Sequence, residues 1–383
     1  MTASLMLHAA SLDPSFGING KLDIHPPGNF ENNLSNVMTD ASGRLYIYGA
    51  CRLYSAFKDQ PGVSRLVDDG AFDTGFGGLQ NGFVSVPEVT ATRATGLAFM
   101  DNGSFFMTAA ANSLLPLINY DANGKYLGIW NIAEGQQSAF PRLLSTGNKL
   151  LVATTNSTGG VLYRRLYDGN EDGEFGTAGK VTFLTEANYV ATLHLARSAD
   201  GTAYYVAGEL DNDGFILRIK DNGELDDTFG AGGLYRIKLV GARFSSCLRV
   251  CALNNGNIVA LVNASGSEAG SVCQLIYLTQ NGQAHPDFNQ GEPLPLPGEV
   301  GEDLAVQSDG KFLVVHRSTM DGNKLTRLLP DGAPDIEFGT DENGSLTLND
   351  GFDFVKAVAV QQDGKIVVGG TLGSLTTLLR LMA

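Results

Sequence analysis

The chain has 383 residues, with 41 acidic against 26 basic side chains, a net charge of −15 and 43% hydrophobic residues. That balance disfavours phosphate backbones and anionic membranes as partners, yet supplies apolar material for a large core. Four cysteines exclude a disulfide framework, 48 glycines against 13 prolines suit tight turns rather than disorder, and no window nears the ~18 apolar residues of a membrane span.

In chain order, MTASLMLHAASLDPSFG (1–17) has no basic region and a short apolar stretch, so it does not read as a signal peptide. A cytoplasmic protein is the default expectation, with export by a route lacking a cleaved signal left open. An apolar run, a Gly turn and a second apolar run then recur seven times. The copies are NVMTDASGRLYIYGA (36–50), GLAFMDNGSFFMTAA (96–110), PRLLSTGNKLLVATT (141–155), LHLARSADGTAYYVAG (193–208), LRVCALNNGNIVALV (248–262), LAVQSDGKFLVVH (304–316) and AVAVQQDGKIVVGG (357–370). Calling these strands A and B, a strand C follows, as in SRLVDDG (64–70) or LTRLLPDG (325–332). Phe-Gly marks come next, at Phe16, Phe76, Phe175, Phe229 and Phe338, with Phe288-Asn289 and a degenerate Leu127-Gly128 completing the set. Their spacing runs from 48 to 60 residues, room for four short strands per unit. A strand D, such as KVTFL (180–184), closes each unit. Val, Ile, Leu, Phe and Tyr dominate, as packed strands require, and no 3.6-residue period is sustained.

Four-stranded units repeated radially make a β-propeller. TTLLRLMA (376–383) reads as a strand C without its D, and SLDPSFGINGKLDI (11–24) supplies the missing part. The expectation is one all-β domain over 1–383. It is a seven-bladed β-propeller with four antiparallel strands per blade, the last blade closed by the N-terminal strand, which hides the sheet edge. Asp13, Asp73, Asp172, Asp226 and Asp335 each stand three residues before a Phe, where an Asx turn is expected. Small residues at Ala98, Ala196, Cys251, Ala305 and Ala359 mark the crowded inner strand, and Leu97, Leu195, Val250, Leu304 and Val358 are expected to face the other way. Cys247 and Cys251 are predicted on one face of a strand, roughly 13 Å apart and unable to bridge.

The units SLDPSFG, AFDTGFG, ELDDTFG and AVAVQQDGKIVVGG resemble the delta-60 repeat family of bacterial proteins. The resemblance covers nearly the whole chain and departs at PLINYDANGKYLGIW (116–130), which lacks both the Asp and the Phe. It implies a β-propeller, often within surface or secreted proteins, and no known catalytic residues.

A propeller gathers one residue per blade at its axis, so the starts of the A strands are the candidate site. Seven residues before each turn Gly stand Asn36, Gly96, Phe140, His194, Arg249, Asp303 and Ala357, with Glu302 and Lys356 adjoining. Asn36, His194, Arg249, Glu302, Asp303 and Lys356 are the predicted binding residues, suited to a polar ligand or ion. The D–A loops add Phe30, Tyr189, Phe244, Phe352 and Phe354, aromatics of the kind that bind sugars or peptides. Asp168, Asn170 and Asp172 match the opening of a calcium loop, although position twelve is Gly179 rather than Glu. The five histidines show no metal-ligand spacing, and no nucleophile or phosphate-cradling motif appears.

The leading expectation is a non-enzymatic binding or scaffolding module, monomeric and without a cofactor, recognising a protein or cell-surface ligand through one loop face. The alternative is a hydrolase or lyase at the channel mouth, with a divalent metal on Glu302 or Asp303 and His194. A lectin would need aromatic pockets repeated at one register, and the aromatic positions do not recur that way.

Overall fold

Seven sheets of four antiparallel strands follow one another around a central axis in this computed structural model. It describes residues 10–25, 30–40, 42–53, 58–86, 91–111, 114–134, 141–267, 270–348 and 351–382. The inner A strands of blades 1 to 7 are Phe30–Thr39, Ala91–Phe99, Arg142–Thr146, Val190–Arg197, Phe244–Ala252, Val300–Val306 and Phe354–Val360. Among the described residues the only helix is a 3₁₀ turn at Asn289–Gly291. The N-terminal strand Lys21–Ile24 pairs with Leu375–Leu381, Lys21 opposite Leu379, and so forms the outer strand of blade 7. The chain thereby closes its own ring and leaves blade 7 with no bare edge there.

Burial lies between blades, because each sheet is apolar on both faces. Leu97, Leu195, Val250, Leu304 and Val358 pack against the preceding blade. Ala98, Ala196, Cys251, Ala305 and Ala359 pack against the following one. Both sets therefore serve inter-blade cores. Phe16, Phe76, Phe175, Phe229, Phe288 and Phe338 are all buried, as plugs at the blade corners. Blade 2 is the exception. Leu127 is exposed, and Trp130 instead fills the space against Gly169 of blade 3, where an added Cβ would meet the indole at 2.7 Å.

Five of the seven corners carry a repeated ion pair. The turn Asp uses one carboxylate oxygen for the Asx turn, as Asp172 Oδ1 accepts from Glu174 N at 3.1 Å. The other oxygen accepts an arginine from strand C. The pairs are Arg65–Asp73 (2.8 Å), Arg164–Asp172 (2.6 Å), Arg327–Asp335 (2.8 Å) and Arg380–Asp13 (2.9 Å), with Arg218–Asp226 a looser copy at 3.3 Å. In four blades the guanidinium lies over the plug: Arg65 on Phe76, Arg164 on Phe175, Arg327 on Phe338 and Arg380 on Phe16, at 4.2–4.6 Å. The same arginines reach the next blade. Arg65 donates to Ala122 O, Arg164 to Asp221 O, Arg218 to Gln280 O and Arg380 to Asp68 O. One side chain thus ties a turn, a plug and a neighbouring blade, and Arg380 ties the last blade to the first.

The A strands are not regular. In six blades a β-bulge leaves one residue unopposed, at Ser35, Thr95, Leu193, Leu248, Glu302 and Lys356. A bulge flips the alternation and re-aims the residues beyond it. It corrects the cysteine reading: Cys247 lies in the core between blades 4 and 5, whereas Cys251 faces blade 6, so they occupy opposite faces. The four cysteines are free, and burial pushes the thiols of Cys51 and Cys273 up to about 12.

Candidate functional site

The residue after each bulge forms a ring around the axis. Asn36, Gly96, His194, Arg249, Asp303 and Ala357 stand opposite Tyr48, Thr108, Ala207, Leu261, Val315 and Gly369 of their own B strands. In blade 3 the A–B turn is shorter, because Thr146 pairs directly with Lys149. Arg142, opposite Ala153, therefore holds the position equivalent to His194. Counting back from the turn Gly gives Phe140, which lies outside the described residues. The ring is Asn36, Gly96, Arg142, His194, Arg249, Asp303 and Ala357, and Arg142 is the member that counting missed.

Most of these groups pin blades together. His194 Nδ1 accepts from Val250 N of blade 5 at 3.3 Å. Asp303 Oδ2 accepts from Val358 N of blade 7 at 3.0 Å, and its Oδ1 takes Leu304 N at 2.9 Å and Arg249 Nε at 2.5 Å. Asn36 Oδ1 accepts from Val37 N at 2.7 Å. Arg142 Nη1 donates to Thr95 O of blade 2 at 3.2 Å, and its buried Nε finds no acceptor. Gly96 is needed for this packing, since a Cβ there would come within 2.9 Å of the Leu143 Cβ.

The ring is an electrostatic unit. Burial, then the guanidiniums of Arg249 and Arg142, hold His194 well below its ordinary value. Burial and then Arg249 pull Arg142 down to about 10. Burial opposes the charge on Arg249, but Asp303 more than offsets it and raises Arg249. Burial raises Tyr48, against the pull of Arg142 and Arg249.

Glu302 and Lys356 are not ring members; they are the bulge residues of blades 6 and 7. Glu302 is held by Arg317 at 2.7 Å, and that guanidinium lies 5.3 Å from the ring of Phe354. The proposed hydrolytic set is therefore already engaged: Glu302 by Arg317, Asp303 by Arg249 and two backbone amides, His194 by Val250. The calcium-loop residues are occupied in the same way. Asp172 serves Arg164 and Lys149, and Asp168 accepts the Asn170 amide at 3.0 Å. This makes a turn and a corner clamp rather than an oxygen cage, and no three His, Cys, Asp or Glu side chains converge to hold a metal among the described residues.

The loop face is less satisfied. Tyr189, Phe244 and Phe354 are about half exposed, at 53%, 48% and 50%, whereas Phe352 is buried against Gly370. The side chain of Phe30 lies outside the described residues. Tyr189 is held by its backbone, with Asp211 Oδ1 accepting from Tyr189 N at 3.0 Å. An open cleft of about 320 Å³ spans blades 4 to 6, lined by Glu209, Phe244, Ser246, Asn263, Ser271 and Glu299 among others. Glu299 accepts from Thr319, and neither glutamate has a cationic partner among the described residues. Burial raises the Glu209 carboxyl above its ordinary value, and Glu209 in turn raises Tyr189 after burial.

No family model matches this chain, and no curated protein matches it. Solved structures do match. A structure described as YCF48 bound to D1 peptide is 12% identical, with a TM-score of 0.55, covering 100% of this chain and 99% of that one. A Pseudomonas aeruginosa periplasmic gluconolactonase, PpgL, is 13% identical with a TM-score of 0.54, covering 82% and 86%. A protein from Lactobacillus plantarum is 13% identical with a TM-score of 0.53, covering 80% and 84%. These similarities establish the propeller fold. No helix among the described residues is long and apolar enough to cross a membrane.

Proposed function

We propose that this chain is a non-enzymatic binding propeller that takes a basic protein segment on its loop face. The cleft between blades 4 and 6 is the working surface. The observation that carries this reading is Glu209, a partly desolvated carboxylate with no cation beside it among the described residues, in an open cleft next to the half-exposed Phe244. An incoming lysine or arginine would neutralise Glu209, and its stem or guanidinium would lie on Phe244 or Tyr189. The net charge of −15 favours the approach of a cationic partner over distances comparable with the Debye length. Ser246, Asn263 and Ser271 supply hydrogen-bonding groups for a peptide backbone. That one propeller of this shape has been solved with a peptide bound is compatible with the reading. The delta-60 resemblance, with its surface and secreted bacterial proteins, accords with it too. Nothing observed favours hydrolysis at the channel mouth over this reading, because His194, Glu302 and Asp303 each hold a neighbouring group.

A display library of random peptides, selected on the intact chain at low salt, tests the proposal. Selected sequences should be rich in Lys and Arg, lose affinity as salt rises, and bind Glu209→Gln and Phe244→Ala variants at least tenfold more weakly, on the order of one lost charged contact. Enrichment of neutral or acidic sequences, or affinity unchanged in both variants, would place the binding surface elsewhere.

A further inference from the structure

The ring contains one cation that no carboxylate pairs with among the described residues. Arg249 and Asp303 form a pair at 2.5 Å. Asp303 already accepts from Leu304 N and Val358 N as well, it makes no ion pair with Arg142, and its pull on Arg142 is weaker than the repulsion from Arg249. Glu302 is held by Arg317. Arg142 is thus left with one backbone carbonyl, Thr95 O, and a buried Nε without an acceptor. No carboxylate pairs with it among the described residues. A second guanidinium, Arg249, repels it across the ring, and Arg93 adds to that repulsion. An unpaired cation in such surroundings is costly, and proteins keep one chiefly where something else completes it.

The neighbours of Arg142 supply a matching set of donors. His194 is the ring residue of the next blade. Its Nδ1 accepts the Val250 amide, which fixes the neutral tautomer with the proton on Nε2 and leaves that N–H to donate. Arg249 is the ring residue of the blade after that. Its Nε and Nη1 are used on Asp303 and Leu248 O, and its Nη2 has no acceptor among the described residues. Arg142 and His194 lie deep in the ring yet keep some accessible surface, so what they expose faces the channel. Three successive blades therefore present a guanidinium, an imidazole N–H and a guanidinium to one side of the channel, in an otherwise acidic protein.

We infer that Arg142, His194 and Arg249 form a site for a small oxyanion, a carboxylate or a phosphate, inside the channel. The site is separate from the loop-face cleft and does not depend on it. Asp303 rejects an anion from its own sector, so the ligand sits toward blades 3 to 5. Its charge closes the balance that Arg142 leaves open.

Calorimetric titration of the full chain with sodium phosphate and, separately, sodium acetate tests this, with sodium chloride at matched ionic strength as control. Saturable binding of at least one oxyanion is expected, the stronger of the two identifying a tetrahedral or a planar ligand. Arg142→Gln should weaken it on the order of tenfold or more, since a charge-assisted contact is lost. The melting temperature of the unmodified chain should rise with the same anion beyond the chloride control, a reading that holds even if the variant does not fold. Neither anion binding above the chloride control, or Arg142→Gln binding as tightly as the unmodified chain, overturns the assignment.

Discussion

The corners and the channel of this ring treat charge in opposite ways. At the corners, each buried arginine has its carboxylate: Arg164 and Asp172 have side chains 1% and 4% exposed and sit 2.6 Å apart. At the channel, Arg142 is also drawn into the interior and has none among the described residues. The corners repeat, in five of the seven blades, because one geometry ties a blade to the next. The channel does not repeat, since its seven positions hold Asn, Gly, Arg, His, Arg, Asp and Ala. Regularity marks the part of the molecule that builds the fold, and departure from it marks the part free to acquire a ligand.

Removing a cation from each place should separate these roles. Arg164→Ala leaves buried Asp172 with Lys149 as its one cation and unstacks Phe175, so it should lower stability by about 3 kcal/mol in urea titrations. Arg142→Met, in buffer without oxyanions, removes a charge that has no counterion and should change stability by no more than about 1 kcal/mol. Equal losses in both variants would erase the contrast.

Acid should act on the two kinds of site in separate windows. Burial first, then Lys324, holds His316 down to about 4, and His194 is also depressed. The unfolded chain takes up protons near the ordinary histidine value of about 6.5, so the stability these residues contribute is complete above that and declines as pH falls toward 4. Ser15 and Arg380 outweigh burial and hold Asp13 at about 2. Its contribution is complete above about 4 and is lost as pH falls toward 2. Melting curves from pH 8 to pH 2 should show both declines, and Asp13→Asn should shrink the lower one, to which Asp200, also held at about 2 by Ser198 and Thr202, contributes as well. A lower decline of undiminished size in Asp13→Asn would show that the ring closure contributes nothing to it.

The smallest effect belongs to the loop face. Phe244→Ala should change stability by no more than about 0.5 kcal/mol, since the ring is half exposed, while weakening peptide capture at least tenfold. A large loss of stability would recast Phe244 as a packing residue.

The fold was legible because its signals are local and repeated seven times. Gly turns, Phe plugs and alternating apolar runs each report on a few neighbouring residues, and the missing strand D at one end matched the extra one at the other. The turn aspartates were legible for the same reason. Their arginines also stood in register, as in SRLVDDG, LTRLLPDG and TTLLRLMA, five residues before the turn Gly where one follows, but their role appears only when a carboxylate eight residues on folds back beside them. Arg380 and Asp13 meet only because the ring closes.

What the sequence determined, then, is the blade, its four strands, its turns and its plugs set by contacts within about fifty residues, together with a closure legible because the two ends are complementary halves of one unit. What only the tertiary structure decided is the register at the axis and the partners found there. Six bulges and one shortened turn, in blade 3, shift which side chain reaches the channel, and none of them leaves a local mark in the residue pattern. Arg142 joins the ring, Glu302 leaves it for Arg317, and Asp303 is engaged by blades on both sides. The physical reason is that a site at the axis takes one residue from each blade, so its charge balance is a sum over positions far apart in the chain.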